Sequence, residues 1–122
     1  MSKLPFGLRM AKMAQEQSQY KIKVGAALVN GSKVIIAWNE NKTSPAIVRL
    51  KYPWHSSLHA ETNLFGHLAP PVKGYVYVYR AWQNGRLALA RPCECCMVVL
   101  KLYGIKKCCY TIEDGWQWEK IV

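Results

Sequence analysis

Residues 75–112 leave this chain the fewest choices of fold. Tyr75-Val76-Tyr77-Val78-Tyr79 is built from β-branched and aromatic side chains and reads as the clearest strand in the chain. A loop over 80–92 leads to Pro92, which suits the first position of a helix made from Cys96, Val98, Val99, Leu100, Leu102 and Tyr103. Gly104 is the expected C-terminal stop of that helix, and residues 105–112 read as a second strand. Strand, helix and strand in this order fit a right-handed βαβ unit.

The remaining elements are read around that unit. Residues 4–17 space Leu4, Leu8, Met10, Ala11 and Ala14 among polar positions, which predicts an amphipathic helix with Pro5 in its first turn. Residues 22–29 and 34–38 are β-rich, and Asn30-Gly31 between them signals a hairpin. A long stretch, 39–56, reads mainly as loop, and loops of that length are usually functional or mobile. Ser56 or Ser57 can cap a helix through Leu58, Leu64, Phe65 and Leu68 to Pro70-Pro71. Asp114-Gly115 turns the chain toward a last short strand holding Trp116, Trp118 and Ile121. The tail after Gly115 is shorter than the dozen or so residues a parallel crossover needs, so this strand should be antiparallel to its neighbour. The expectation is an α/β three-layer sandwich, a central mixed sheet of about five strands flanked by helices, forming a single domain over residues 1–122.

Cysteine usage and charge narrow the chemistry. The five cysteines, at 93, 95, 96, 108 and 109, form two tight clusters, a poor disulfide framework and a better supply of metal ligands. Pro5, Arg9 and Lys12 interrupt any N-terminal apolar run, and no stretch approaches the roughly 20 residues of a membrane span, so a cytoplasmic protein with no membrane partner is expected. Seventeen Lys and Arg against seven Asp and Glu give a formal charge of +10, which favours an anionic partner; surface charge kept for solubility is the plainer explanation.

His59-Ala60-Glu61 and Pro92-Cys93-Glu94-Cys95-Cys96 carry the reactive groups. Cys93 and Cys96, three apart at a helix start, share a face, and the positive end of a helix favours their thiolates. If His59 starts a second helix aimed at the same point, three ligands converge on one Zn2+. Three protein ligands with a fourth position left to solvent is the catalytic zinc pattern, whereas structural sites close with four. Glu61 can then take a proton from water, protonate a ring nitrogen and protonate a leaving amine. Each half has a plainer reading: a Cys-x-x-Cys pair is common in structural zinc and redox sites, and a lone His on a helix is usually packed or exposed.

Taken together, with Glu two residues after His and Pro directly before the first Cys, the segments resemble the zinc-dependent cytidine and deoxycytidylate deaminase superfamily. The resemblance implies a sheet flanked by helices, with zinc held at two helix N-termini by His59, Cys93 and Cys96, and Glu61 as the catalytic proton carrier. It implies that Asn39, directly after the second strand, binds the substrate's sugar or base; an Asn that simply ends a strand is the alternative. Ala60 resembles the small residue whose backbone lines the base pocket. Gly25-Ala26-Ala27 resembles the family's small-residue first strand, without singling out one of the three as a pocket wall. Cys95 should point away from the metal, and Cys108 and Cys109 read as packing residues. Relatives form dimers, tetramers or hexamers, so a homo-oligomer is expected; five Trp and seven Tyr are also more than one small core needs.

Substrate cues divide. His with two Cys is the pattern of the deoxycytidylate, tRNA-adenosine and polynucleotide-editing branches, whereas an antiparallel last strand is a feature of free-cytidine relatives. The loops expected beside the metal carry Lys42, Arg49, Lys51, Arg80, Arg86 and Arg91, opposed only by Glu40, with Tyr52, Trp54, His55 and Trp82 interleaved. Cations bind phosphate and aromatics stack on bases, which makes Arg91 and Trp54 candidate substrate contacts; packing of Trp54 and Trp82 against the loops is the alternative. The expected function is hydrolytic deamination of cytosine in a phosphate-bearing substrate such as deoxycytidylate. The alternatives are deamination of cytosine or adenine in single-stranded DNA or RNA, and a non-catalytic zinc module that binds nucleic acid.

Overall fold

A computed structural model of the chain describes residues 4–19, 23–40, 59–66 and 68–122. Their elements are α1 (Phe6–Gln15), β1 (Val24–Asn30), β2 (Lys33–Trp38), α2 (Ala60–Asn63), β3 (Tyr75–Arg80), α3 (Glu94–Leu102), β4 (Lys107–Ile112) and β5 (Gly115–Lys120). The strands form one sheet in the order β2-β1-β3-β4-β5. β3 and β4 are parallel, as the βαβ reading requires, and every other pair is antiparallel, including β4 with β5. The sheet is therefore mixed and five-stranded, with helices on both faces.

Alternation along the strands divides the core in two. Ala26 and Leu28 of β1, Val76 and Val78 of β3, and Cys108 and Tyr110 of β4 point to one face. There they meet Ala60, Leu64 and Phe65 around α2 and Cys95, Val99 and Leu100 of α3. Ala27 and Tyr79 point to the other face and meet Ala11 of α1. Helix α1 buries Gly7, Leu8, Ala11 and Ala14, the stripe its periodicity predicts. Contact on this face is close enough that the Tyr77 ring rests on Gly7, where any Cβ would overlap it.

Several boundaries shift from the sequence reading, each for a local reason. Pro5 is the N-cap of α1, its carbonyl accepting from the Arg9 N–H at 3.0 Å, and does not lie within the first turn. Pro92 likewise precedes its helix: Cys93, in extended conformation (φ −68°, ψ 168°), is the N-cap of α3. Gly104 does end α3. Its φ of 91° lets the Gly104 and Ile105 N–H groups bond back to Lys101 and Leu100, both at 3.0 Å, the paired closure of a Schellman motif.

Both hairpin turns sit one residue from the expected dipeptide. Asn30 pairs with Lys33, leaving Gly31 (φ 61°) and Ser32 as the turn, and Ile112 pairs with Gly115 across Glu113 and Asp114. Helix α2 is a single turn capped at His59, not at a serine; Ser56 and Ser57 lie outside the described residues. Beyond Asn63 the backbone tightens, with Phe65 and Gly66 N–H groups bonding to Thr62 and Asn63 at 3.2 and 3.4 Å. No helix among the described residues is long and apolar enough to cross a membrane.

Candidate active site

Two helix starts meet at one point. His59 is the N-cap of α2 and Cys93 the N-cap of α3, and neither side chain caps its own helix. Their carbonyls accept the first helical bonds, from Asn63 and Met97, both at 2.9 Å. Both side chains are thereby left to turn outward. Cys96, three residues on in α3, adds a buried sulfur from the same side. What holds the helices in this relation lies behind them: Phe65 stacks on Tyr103 at 4.4 Å, and the Val72 N–H donates to the Tyr103 carbonyl at 2.7 Å. On the other side of α2, Asn63 Nδ2 donates to the Trp38 carbonyl at 3.0 Å and to Glu40 Oε2 at 2.8 Å, pinning the helix to the end of β2.

His59 Nδ1 lies 3.7 Å from Cys93 Sγ and 3.4 Å from Cys96 Sγ, and all three donor atoms fall within 4.8 Å of one another. Tetrahedral zinc with Zn–N and Zn–S bonds of about 2.1 and 2.3 Å separates a nitrogen from a sulfur by about 3.6 Å. The observed spacings bracket that edge, so the donors fit the ion. Charge argues the same way. Hydrogen bonding from Cys96, then from His59, holds the Cys93 thiol down to about 3, while the same partnership with Cys93 and burial push Cys96 up. One sulfur ionises at the other's expense, and a dication between them removes the conflict. Among the described residues this is the one group of three His, Cys or acidic side chains that can share an ion.

Glu61 is in the first turn of α2 and 6% exposed. Burial pushes its carboxyl up from the usual range, opposed by a backbone hydrogen bond, the neighbouring His59 and a hydrogen bond with Cys96. The carboxyl lies against the Cys96 sulfur, where it can exchange protons with a group bound in front of it. A cleft of about 290 Å³ opens beside it, lined by Val24, Asn39, His59, Ala60, Glu61, Arg80, Leu89, Ala90, Arg91 and Cys93. Asn39 and Ala60 thus reach the cleft. Asn39 is also structural: its Oδ1 accepts from the Val24 N–H at 3.0 Å and from Ser18 Oγ at 2.6 Å.

Other sequence candidates fall elsewhere. Trp54, with Lys42, Arg49 and Lys51, lies outside the described residues. Of the small-residue strand, Ala26 and Ala27 enter the two cores, Gly25 faces α1, and it is the preceding Val24 that lines the cleft. Cys95 is buried in the core and not in the donor set; burial pushes its thiol up to about 11. Cys108 and Cys109 are both fully buried, on opposite faces of β4, because both faces are covered. Val24, Leu89 and Ala90 carry no local signal of a site; only the sheet order and the fold of the 81–90 segment bring them in. That segment is anchored by Thr111, whose Oγ1 donates to the Ala88 carbonyl at 2.7 Å and accepts from the Arg80 N–H at 3.2 Å.

Arg91 lines the cleft with its charge already matched. Its Nε and Nη2 donate to the two carboxylate oxygens of Glu119, each at 2.8 Å, and Tyr110 OH donates to the same carboxylate at 2.7 Å. Arg91 first, then Tyr110, holds the Glu119 carboxyl below its ordinary 4.5. A carboxyl lowered on folding contributes stability that is complete above its unfolded value and lost as pH falls through the lower folded value. Glu119→Gln should therefore melt below the wild type at pH 7 by a gap under about 1 kcal/mol, given the pair's exposure. That gap should close under acid conditions; thermal melts of both proteins at neutral and acid pH measure it, and a gap that widens in acid contradicts the pairing.

Two helix N-termini on a mixed sheet thus bring together three donors that could hold a metal ion, beside a buried carboxyl. The pattern of the cytidine and deoxycytidylate deaminase zinc-binding region matches residues 1–112, and the chain belongs to that family. It is a zinc-dependent deaminase of the cytosine-acting kind. Among solved structures it is similar to cytidine deaminase from Burkholderia pseudomallei, at 21% identity and a TM-score of 0.64, over 94% of this chain and 90% of that one. It is also similar to cytidine deaminase from Mycobacterium leprae, at 23% identity and a TM-score of 0.55, over 91% and 88% of the two chains. At these identities the likeness is one of fold. No curated protein matches the chain.

Proposed function

We propose that the substrate is cytosine in a phosphate-bearing nucleotide, with deoxycytidylate as its simplest form. The observation that supports this reading is Arg80, which lines the same cleft as Glu61, His59 and Asn39. Arg91 is matched by Glu119, so Arg80 is the better phosphate contact, with Arg91 Nη1, which takes no part in that pair, as a second donor. The cleft's 290 Å³ is at the small end of ligand pockets, suited to a pyrimidine and its sugar with the phosphate at the mouth.

His59, Cys93 and Cys96 would hold zinc, which would supply the Lewis acidity that lowers the pKa of water from about 15.7 toward about 7. Glu61 would accept one proton from the attacking water and deliver it to ring N3 as the water oxygen bonds to C4. A second proton passed through Glu61 to the exocyclic nitrogen lets the C4–N bond break. Uracil keeps the oxygen and ammonia leaves. Asn39, oriented by its bonds to Val24 and Ser18, and the backbone of Ala60 position the sugar and the base.

Incubating the zinc-loaded protein with cytidine, deoxycytidine, their monophosphates and single-stranded oligonucleotides, then assaying uracil, tests the assignment. Monophosphates should exceed nucleosides in kcat/KM, and Arg80→Ala should erase most of that preference. Turnover confined to oligonucleotides, or equal for nucleosides and monophosphates, refutes it; no uracil from any substrate leaves a non-catalytic module.

A further inference from the structure

A second, larger groove adjoins the cleft at Arg80, which lines both. It is open, about 940 Å³, and runs between the C-terminal half of α1 and residues 79–85. Its lining carries three cations, Lys12, Lys23 and Arg80, against one acid, Glu16. Trp82 stands in it 55% exposed, with the Arg80 guanidinium 5.2 Å from the ring centroid. The indole is mounted on a closed turn: the Trp82 N–H donates to the Arg86 carbonyl at 2.8 Å and the Gly85 N–H to the Trp82 carbonyl at 2.9 Å.

A large aromatic ring held in water on a hydrogen-bonded turn contributes little to the core. One face of this ring is occupied by a cation that also borders the catalytic cleft. Rings in this setting stack on bases, and flanking cations hold phosphates. Size agrees with that use. The cleft has room for about one nucleoside, and the groove, about three times larger, has room for more.

The geometry points to a subsite for the neighbouring nucleotide of a single-stranded oligonucleotide, its base on Trp82, the connecting phosphate on Arg80, and the strand continuing along Lys12 and Lys23. The subsite rests on the cytosine reading only for which base enters the cleft. It makes a monophosphate the minimal substrate and a short strand the better one.

Fluorescence anisotropy of a labelled short oligonucleotide with one central cytosine, in deoxy and ribo forms, measures the groove directly on the zinc-loaded protein. Trp82→Ala should weaken binding by about five- to hundredfold, the range of one lost base stack. Lys12→Glu should also weaken it and lower the salt slope of log Kd by about one. Both variants should turn over deoxycytidylate with unchanged kcat and KM, which also shows that they fold. Oligonucleotide binding indifferent to Trp82→Ala overturns the subsite. So does heparin, a polyanion without bases, binding as tightly as the oligonucleotide with the same dependence on both residues, because the surface would then read charge alone. If no cytosine substrate yields uracil, the proposed function fails while anisotropy still decides the groove.

Discussion

Glu61→Gln should abolish turnover and leave the zinc in place. Glutamine keeps the size of the side chain and its place beside Cys96 but cannot accept and return a proton at neutral pH. Positioned acid–base groups contribute about 10²–10⁴ in rate, and Glu61 handles two transfers, so kcat should fall by about 10⁴. Zinc content should stay at that of the wild type, because Glu61 is outside the donor set of His59, Cys93 and Cys96. Stability should hold or rise, because the carboxyl is 6% exposed and a neutral amide is less costly to bury. Steady-state kinetics, metal analysis and a thermal melt on one preparation read all three. Activity within tenfold of the wild type would assign proton transfer to another group, and loss of zinc would make Glu61 part of the metal site.

Gly25→Ala should be the most damaging single methyl in the described sheet. An added Cβ would overlap the Ala11 carbonyl oxygen and the Gln15 backbone nitrogen and stand 2.8 Å from Gln15 Cα. These are main-chain atoms of α1, so no rotamer change relieves the contact; the helix must lift from β1. Overpacking costs about 1–3 kcal/mol and more where nothing yields, so we expect about 3 kcal/mol or above. For a chain of this size that lowers Tm by about 10 °C or more. Gly66→Ala is the control, since among the described residues its Cβ would meet only the Asn63 carbonyl oxygen, at 3.6 Å, and should move stability by about 1 kcal/mol or less. Equal melting temperatures for Gly25→Ala and the wild type would mean that α1 does not sit against β1. Because Gly25 adjoins Val24 in the cleft wall, partial loss of activity should accompany the loss of stability.

Much of this arrangement was legible because it is encoded locally. Tyr75–Tyr79 alternates like a strand, and Gly104 can hold the φ that ends a helix. The cluster of candidate donors was legible for a different reason: few side-chain types can share a metal ion, so His59, Cys93 and Cys96, whose donor atoms lie within 4.8 Å of one another, are conspicuous however far apart they lie in the chain. Helix starts were read less well. Pro5 and Pro92 satisfy the steric rule for a first helical position, yet each lies ahead of its helix, since an extended proline next to an N-cap is equally unstrained. The caps themselves, His59 and Cys93, are not preferred capping residues, and their side chains belong instead to the group of three that could hold a metal ion.

Residue types and spacings by themselves determined the element order and singled out the side chains that could hold a metal ion, since these depend on intrinsic conformational preference and on the identity of the donor groups. Only the tertiary structure decided what surrounds them. Val24, Leu89 and Ala90 became walls, Arg91 was engaged by Glu119 while Arg80 took the junction between cleft and groove, and Gly25 met the backbone of α1. Those outcomes depend on which strands are neighbours and which face of each is covered, and distances through space between remote segments are set by packing, not by any residue's own propensity.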